Sequence, residues 1–212
     1  MTATIETRHV RDALRMAKSV LSSLETGPIG QLVGEPGTGK TRAGRYMVER
    51  LGAVRVCCAQ GVSNKALLEK IFAAVGGEKA PCSANGLIVK LEALVTGKLL
   101  VVDEANHLRW QQLETLRYLS DEAGMGLVLV GTDLMDRPFK VGRTATYLAQ
   151  LASRIGAKRV RFERIDALEE VAGYMIHPHF GSVGQATAAA FHQQAKGYWR
   201  DAEELAAACR RV

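Results

Sequence analysis

No run of eighteen apolar residues occurs anywhere in the chain, so no segment reads as a membrane-spanning helix. The start carries none of the marks of a secretory signal, and the expected location is the cytoplasm. Cysteine is scarce. The four residues Cys57, Cys58, Cys82 and Cys209 contain no C-x-x-C spacing, and Cys57-Cys58 lies in a strand-like run, so buried free thiols in a reducing cytosol are expected. His177-Pro178-His179 has no third ligand nearby in sequence and reads as a loop between helices, not a metal site. No internal repeat and no low-complexity linker divides the chain. What remains is ample for a core: 212 residues, 47% hydrophobic and 24% charged, enough for one ordinary domain with a small appendage. The net charge of +6 permits nucleic-acid binding without showing it.

Against these absences stands one dense motif. Gly34-Glu35-Pro36-Gly37-Thr38-Gly39-Lys40-Thr41 fits G-x-x-x-x-G-K-[ST] at every position. The glycines let backbone N–H groups approach an anion closely, Lys40 reaches the β- and γ-phosphates, and the Thr41 hydroxyl can ligate Mg²⁺. The flanks suit that job. Ile29–Val33 reads as a short buried strand and Thr41–Leu51 as a helix ended by Gly52. The loop then sits at a helix N-terminus, where free N–H groups and the dipole favour phosphate.

Further strands are expected at 53–58, 99–102, 127–130 and 159–162. Helices are expected at 5–24, 64–75, 87–95, 111–123 and 144–151, the first with Val10, Leu14, Ala17, Val20/Leu21 and Leu24 on one face. Alternating strands and helices predict an α/β fold, a mainly parallel sheet covered on both faces, with the apolar strands 3 and 4 central. After Ile165 only helical patterns appear, at 167–175, 182–196 and 200–211. The expected organisation is an α/β core over 1–164 and a helical lid over 165–212.

Leu99-Leu100-Val101-Val102-Asp103-Glu104 has the Walker B form. Asp103 at the strand tip can hold Mg²⁺ opposite Thr41, and Glu104 can orient and polarise an attacking water. Thr132 follows the fourth strand and faces the same cleft on this reading. Arg154 precedes the fifth strand and Arg200 opens the last helix. Each can supply a fixed positive fork for charge on a transferring phosphoryl group.

Together these features resemble the AAA+ ATPases across nearly the whole chain. Thr132 matches the sensor-1 position, Ser153-Arg154-Ile155 the finger box, and Gly197-Tyr198-Trp199-Arg200 the sensor-2 motif. The resemblance implies ATP and Mg²⁺ as cofactors, strand order 5-1-4-3-2, Arg154 acting on the next subunit's ATP, and Arg200 contacting the γ-phosphate in cis. Within that family, Val102-Asp103-Glu104-Ala105-Asn106-His107-Leu108, Leu113-Glu114-Thr115-Leu116-Arg117 and Gly126-Leu127-Val128-Leu129-Val130-Gly131-Thr132 look like the transposition adaptors, the MuB, TnsC and TniB group. That implies ATP-dependent assembly of rings or filaments on double-stranded DNA, a transposase partner, no membrane, and a bacterial or phage-infected host cytoplasm. The 212 residues leave no room for the separate N-terminal helix-turn-helix domain of the phage Mu protein, so DNA contacts are expected from the core. The loops after strands 2 and 3 offer Lys65 and Arg109 for phosphate contacts, and each also reads as a solvated surface charge. Trp110 and Trp199 read as packing residues. A helicase loader, a monomeric P-loop kinase for a small acceptor and a non-hydrolysing nucleotide switch stay open as alternatives.

Overall fold

A computed structural model describes residues 5–26, 29–81, 83–136 and 143–211. Five strands, β1 (Ile29–Gly34), β2 (Val54–Cys57), β3 (Leu99–Asp103), β4 (Gly126–Val130) and β5 (Arg159–Phe162), form one sheet in the order β2-β3-β4-β1-β5. Every pairing is parallel. This is the expected order, read from the opposite edge. Every residue of β1, β3 and β4 is buried, as their near-continuous apolar runs require in a sheet covered on both faces. The edge strands β2 and β5 are half exposed and carry Arg55, Arg159 and Arg161, which blunts edges open to further pairing.

Strand alternation divides the core. Leu100, Val102, Leu127 and Leu129 point to the face covered by α3 (Asn64–Ala74), α4 (Ala84–Val95) and α5 (Trp110–Ala123). Leu99, Val101, Val128 and Leu32 point to the face covered by α1 (Arg8–Leu21) and α2 (Lys40–Leu51). Thr7 starts α1, its hydroxyl accepting from the Val10 N–H at 3.3 Å. The helix is shorter than its pattern suggested. It ends at Leu21, Leu24 falls in a separate 3₁₀ turn, and the buried stripe runs through Val10, Ala13, Ala17 and Val20.

Other boundaries shift for visible reasons. The helix expected at 144–151 is two, Arg143–Tyr147 and Ala149–Ile155, separated at Leu148, which is fully buried. His177-Pro178-His179 is not a loop. The chain runs from Leu168–Val171 through a π-helical segment, Ala172–Ile176, into the helical turn His177–Phe180. Pro178 is tolerated there because it sits at the start of a turn, where its missing N–H costs no bond. Helices Gln185–Ala195 and Trp199–Cys209 follow. Val171, Met175, Phe191, Ala202 and Ala206 bury together with Ile165 as a separate small core.

The buried-thiol expectation is corrected in part. The described cysteines are free, but only Cys58 is buried; Cys57 on edge strand β2 and Cys209 in the last helical turn are exposed. Burial pushes the Cys58 thiol up to about 11. Cys82 lies outside the described residues. Among the described residues, no helix is long and apolar enough to cross a membrane.

Candidate active site

The loop between β1 and α2 is shaped by its glycines. A Cβ on Gly34 would lie 2.0 Å from the Phe162 carbonyl oxygen, so only glycine lets β1 end this close to β5. Gly39 caps α2 in the left-handed region, φ 96, and, being glycine, offers no side chain to cap it. A glycine-rich turn leading into a helix start is the arrangement that suits an anion site. Lys40 Nζ donates to the Gly34 and Glu35 carbonyls at 2.9 and 2.6 Å. Burial lowers its pKa from the ordinary ammonium value, and the charges of Glu104, Asp133 and Asp103 oppose that shift. Thr38 Oγ1 donates to the Glu35 carbonyl at 2.8 Å and braces the same turn.

Across the cleft, β3 delivers Asp103. Thr41 Oγ1 donates to Asp103 Oδ1 at 3.4 Å, and the Glu104 N–H donates to the same oxygen at 3.0 Å. The Asp103 side chain is 4% exposed, and its charge is met by the Arg55 guanidinium. Hydroxyl and carboxylate oxygens together fit a small hard divalent ion such as Mg²⁺, which takes few protein ligands and completes its shell with water and substrate phosphate. Glu104 stands in the left-handed region, φ 56 and ψ 36, with its side chain in the cleft mouth. The Thr132 N–H donates to Asn106 Oδ1 at 3.2 Å, while Thr132 Oγ1 is buried with no partner among the described residues. That hydroxyl is free to hold a phosphate oxygen or a water.

The helical segment after β5 closes on the loop. The Trp199 N–H donates to the Gly37 carbonyl at 2.9 Å, and the Tyr198 hydroxyl donates to Glu35 Oε2 at 2.5 Å. Trp199 lies against the loop, where a Cβ on Gly39 would meet its ring at 3.2 Å. Its role thus extends beyond core packing, whereas Trp110 stacks on Tyr147 at 4.5 Å. Arg200 lines a cleft of about 570 Å³ together with Pro36, Gly37, Gly39, Lys40, Thr41, Asp103, Glu104 and Thr132. A second cavity, about 530 Å³, adjoins it between α1, the loop and the lid, with Val10, Phe162 and Pro178 among its apolar walls. Its volume and partly apolar lining leave room for a planar ring beside the cleft. The sequence pattern placed Val10 on a helix face, Phe162 in a strand and Pro178 in a loop, but gave no sign that three such distant segments meet.

Three expected residues lie outside that cleft. Arg154 bonds Asp121 on α5, Nε to Oδ1 at 2.9 Å and Nη2 to Oδ2 at 3.4 Å. Asp121 also accepts from Arg117. Lys65 pairs with Glu69 at 3.4 Å within the first turns of α3. Arg109 is exposed at the start of α5. Gln112 Nε2 donates to the Val62 carbonyl at 2.6 Å, which ties the loop before Lys65 to the first turn of α5 after Arg109. The sequence reading missed Arg55, whose Nη2 lies 2.5 Å from Asp103 Oδ2. The available signal was a lone arginine on β2, two residues before Cys57, the register partner of Asp103.

A family model described as an AAA domain matches residues 23–137. The Mu-like prophage FluMu DNA transposition protein B of Haemophilus influenzae is 32% identical over 148 residues, covering 66% of this chain and 52% of that protein. The ATP-dependent target DNA activator B of Escherichia phage Mu is 31% identical over 150 residues, covering 66% of this chain and 46% of that protein. The chain thus spans about half the length of these curated relatives. Among solved structures, a Walker-type ATPase of Pyrococcus abyssi aligns with a TM-score of 0.63 at 13% identity, over 91% of this chain and 70% of the other. The RuvB Holliday junction branch migration motor of Thermotoga maritima aligns at 0.58 and 16% identity, over 98% of this chain and 62% of the other. At these identities the structural likenesses speak for the fold.

Proposed function

Because the chain belongs to the AAA domain family, we propose that it is an ATP-dependent, DNA-binding ATPase that assembles on double-stranded DNA and regulates or targets transposition by recruiting and stimulating a transposase. The observation that carries the reading is the convergence of Lys40, Thr41, Asp103, Glu104, Thr132 and Arg200 on one cleft, in a chain similar to proteins named for DNA transposition and target DNA activation.

On this reading the loop from Gly34 to Thr41 cradles the ATP phosphates with backbone N–H groups. Lys40 moves its ammonium from the Gly34 and Glu35 carbonyls to the β- and γ-phosphates. Thr41 and Asp103 hold Mg²⁺, which when bound neutralises charge on the phosphate oxygens. Glu104 orients and polarises the attacking water, and the Thr132 hydroxyl steadies it or the γ-phosphate. Arg200 contacts the γ-phosphate from the lid of the same chain. Arg154 serves the neighbouring subunit's ATP, which makes turnover depend on assembly. ATP and ADP states then differ in affinity for the self-interface, and that difference drives assembly and release. Lys65 and Arg109 contribute sequence-tolerant phosphate contacts to DNA.

Electron microscopy of the purified chain with duplex DNA tests this, once with a slowly hydrolysed ATP analogue and once with ADP. Rings or filaments on DNA with the triphosphate only are expected. Monomers under every condition would remove the intersubunit arginine and favour a small-molecule kinase or a switch.

A further inference from the structure

Arg55 is the sole charged residue of β2, and it reaches across to the carboxylate at the end of β3. Both oxygens of Asp103 are engaged: Oδ1 by the Glu104 N–H and the Thr41 hydroxyl, Oδ2 by Arg55 Nη2 at 2.5 Å. The guanidinium is only partly satisfied, because its Nε is buried with no hydrogen-bond partner among the described residues. The two groups differ in exposure, 22% for the arginine side chain and 4% for the aspartate. The arginine sits on an edge strand with a path toward solvent, whereas the carboxylate is fixed. A divalent cation held by Thr41 and Asp103 needs the negative charge that Arg55 already neutralises. Two cations cannot share one buried carboxylate without repulsion.

We propose that Arg55 is a built-in competitor of the divalent cation for Asp103, and that it sets the cation concentration at which nucleotide binds. This rests on the reading of the cleft as a Mg²⁺–ATP site. Arg55 yields Asp103 as the cation arrives and turns outward along the sheet edge. The residue acts through Asp103 and is a positioning residue.

Binding of a fluorescent ATP analogue to the whole chain, titrated with MgCl₂, tests the idea in wild type, Arg55→Met and Arg55→Lys. The Met variant is expected to reach half-saturation at roughly tenfold lower free Mg²⁺, the ratio set by about 1.4 kcal/mol of relieved competition. Arg55→Lys, which keeps the charge, stays close to wild type. Mg²⁺ without nucleotide also raises the melting temperature of Arg55→Met more than that of wild type. Should the Met variant fold poorly, Arg55→Gln carries the same expectation, since its amide still bonds the carboxylate without a charge. An unchanged or higher Mg²⁺ requirement in the uncharged variants overturns the proposal; a higher one would mean that Arg55 holds phosphate instead. A folded wild type that binds no ATP analogue at any Mg²⁺ concentration sinks the nucleotide-site reading itself, a different failure.

Discussion

Glu104 is one of only two non-glycine residues with positive φ among the described residues, the other being Lys196. For a residue with a Cβ the left-handed region costs about 1–2 kcal/mol, and asparagine tolerates it better than glutamate. Glu104→Asn should therefore stabilise the fold by about 1 kcal/mol. Glycine would relieve the same strain, but its extra freedom in the unfolded chain takes back about 0.5–1 kcal/mol. Glu104→Gln leaves the strain in place. It also removes the charge that favours the buried Lys40 ammonium, as Glu104→Asn does, so the two variants differ chiefly in backbone strain; the Glu104 pair with His107, 3.9 Å, is weak. For a chain of 212 residues, an unfolding entropy of about 2.1 cal/mol/K per residue converts 1 kcal/mol into a rise of roughly 2 °C. Both variants should lose turnover by about 10²–10⁴-fold, the usual contribution of a positioned proton acceptor. Calorimetric melts and phosphate release on the same preparations separate the two effects. Glu104→Asn melting at or below wild type would refute the strain argument, and either variant hydrolysing ATP within tenfold of wild type would remove Glu104 from its chemical role.

Other substitutions probe different parts of the site. Lys40→Ala should abolish binding of a fluorescent ATP analogue, and undiminished affinity would contradict the phosphate-loop assignment. Arg154→Ala should keep nucleotide affinity but lose turnover; mixing it with Lys40→Ala should restore part of the activity if the arginine serves a neighbour and the two variants co-assemble. Asp121→Asn removes the carboxylate charge that holds Arg154, and turnover should fall while analogue affinity stays near wild type; unaltered turnover would mean that the ion pair does not position the arginine. Burial, with help from Arg8, lowers the pKa of His9, which stacks on Phe162 at 5.2 Å, from its ordinary 6.5. The folded state thus favours the neutral ring. Its contribution is intact above pH 6.5, declines as pH falls through that value, and levels off below the folded pKa. Denaturant unfolding of His9→Phe should show a flatter stability profile than wild type across that window, and parallel profiles would exclude His9.

The sequence disclosed what is contiguous. Residues 34–41 and 99–104 each carry their chemistry in a single run, and the apolar strands β3 and β4 announced their central places by lacking any polar alternation. It disclosed much less about pairs. Arg55 and Asp103 are 48 positions apart and Arg154 and Asp121 are 33 apart, so neither helical spacing nor strand alternation links them. Helix boundaries near Leu148 and Pro178 slipped for a related reason: the π-helical segment and the break at Leu148 serve burial in the tertiary core, and local propensity does not encode that.

The last helix shows why such long-range contacts matter. It begins at Trp199 with its N–H on the Gly37 carbonyl, and α2 begins at Lys40, so the first turns of two helices meet around one loop. Arg42 on α2 pairs with Glu203 on the last helix at 2.5 Å, and Tyr198 bonds Glu35. Arg200, one residue beyond Trp199, is thereby placed on the same cleft as Lys40 and Thr41. Just before the last helix, Gly197 packs against the Ile165 backbone with no space for a side chain, an ideal Cβ falling 2.3 Å from the carbonyl oxygen, which seats that helix on the small core around Ile165. The glycine-rich loop and α2 are thus joined directly to the last helix, by Trp199 to Gly37, Tyr198 to Glu35 and Arg42 to Glu203, and not by way of the sheet.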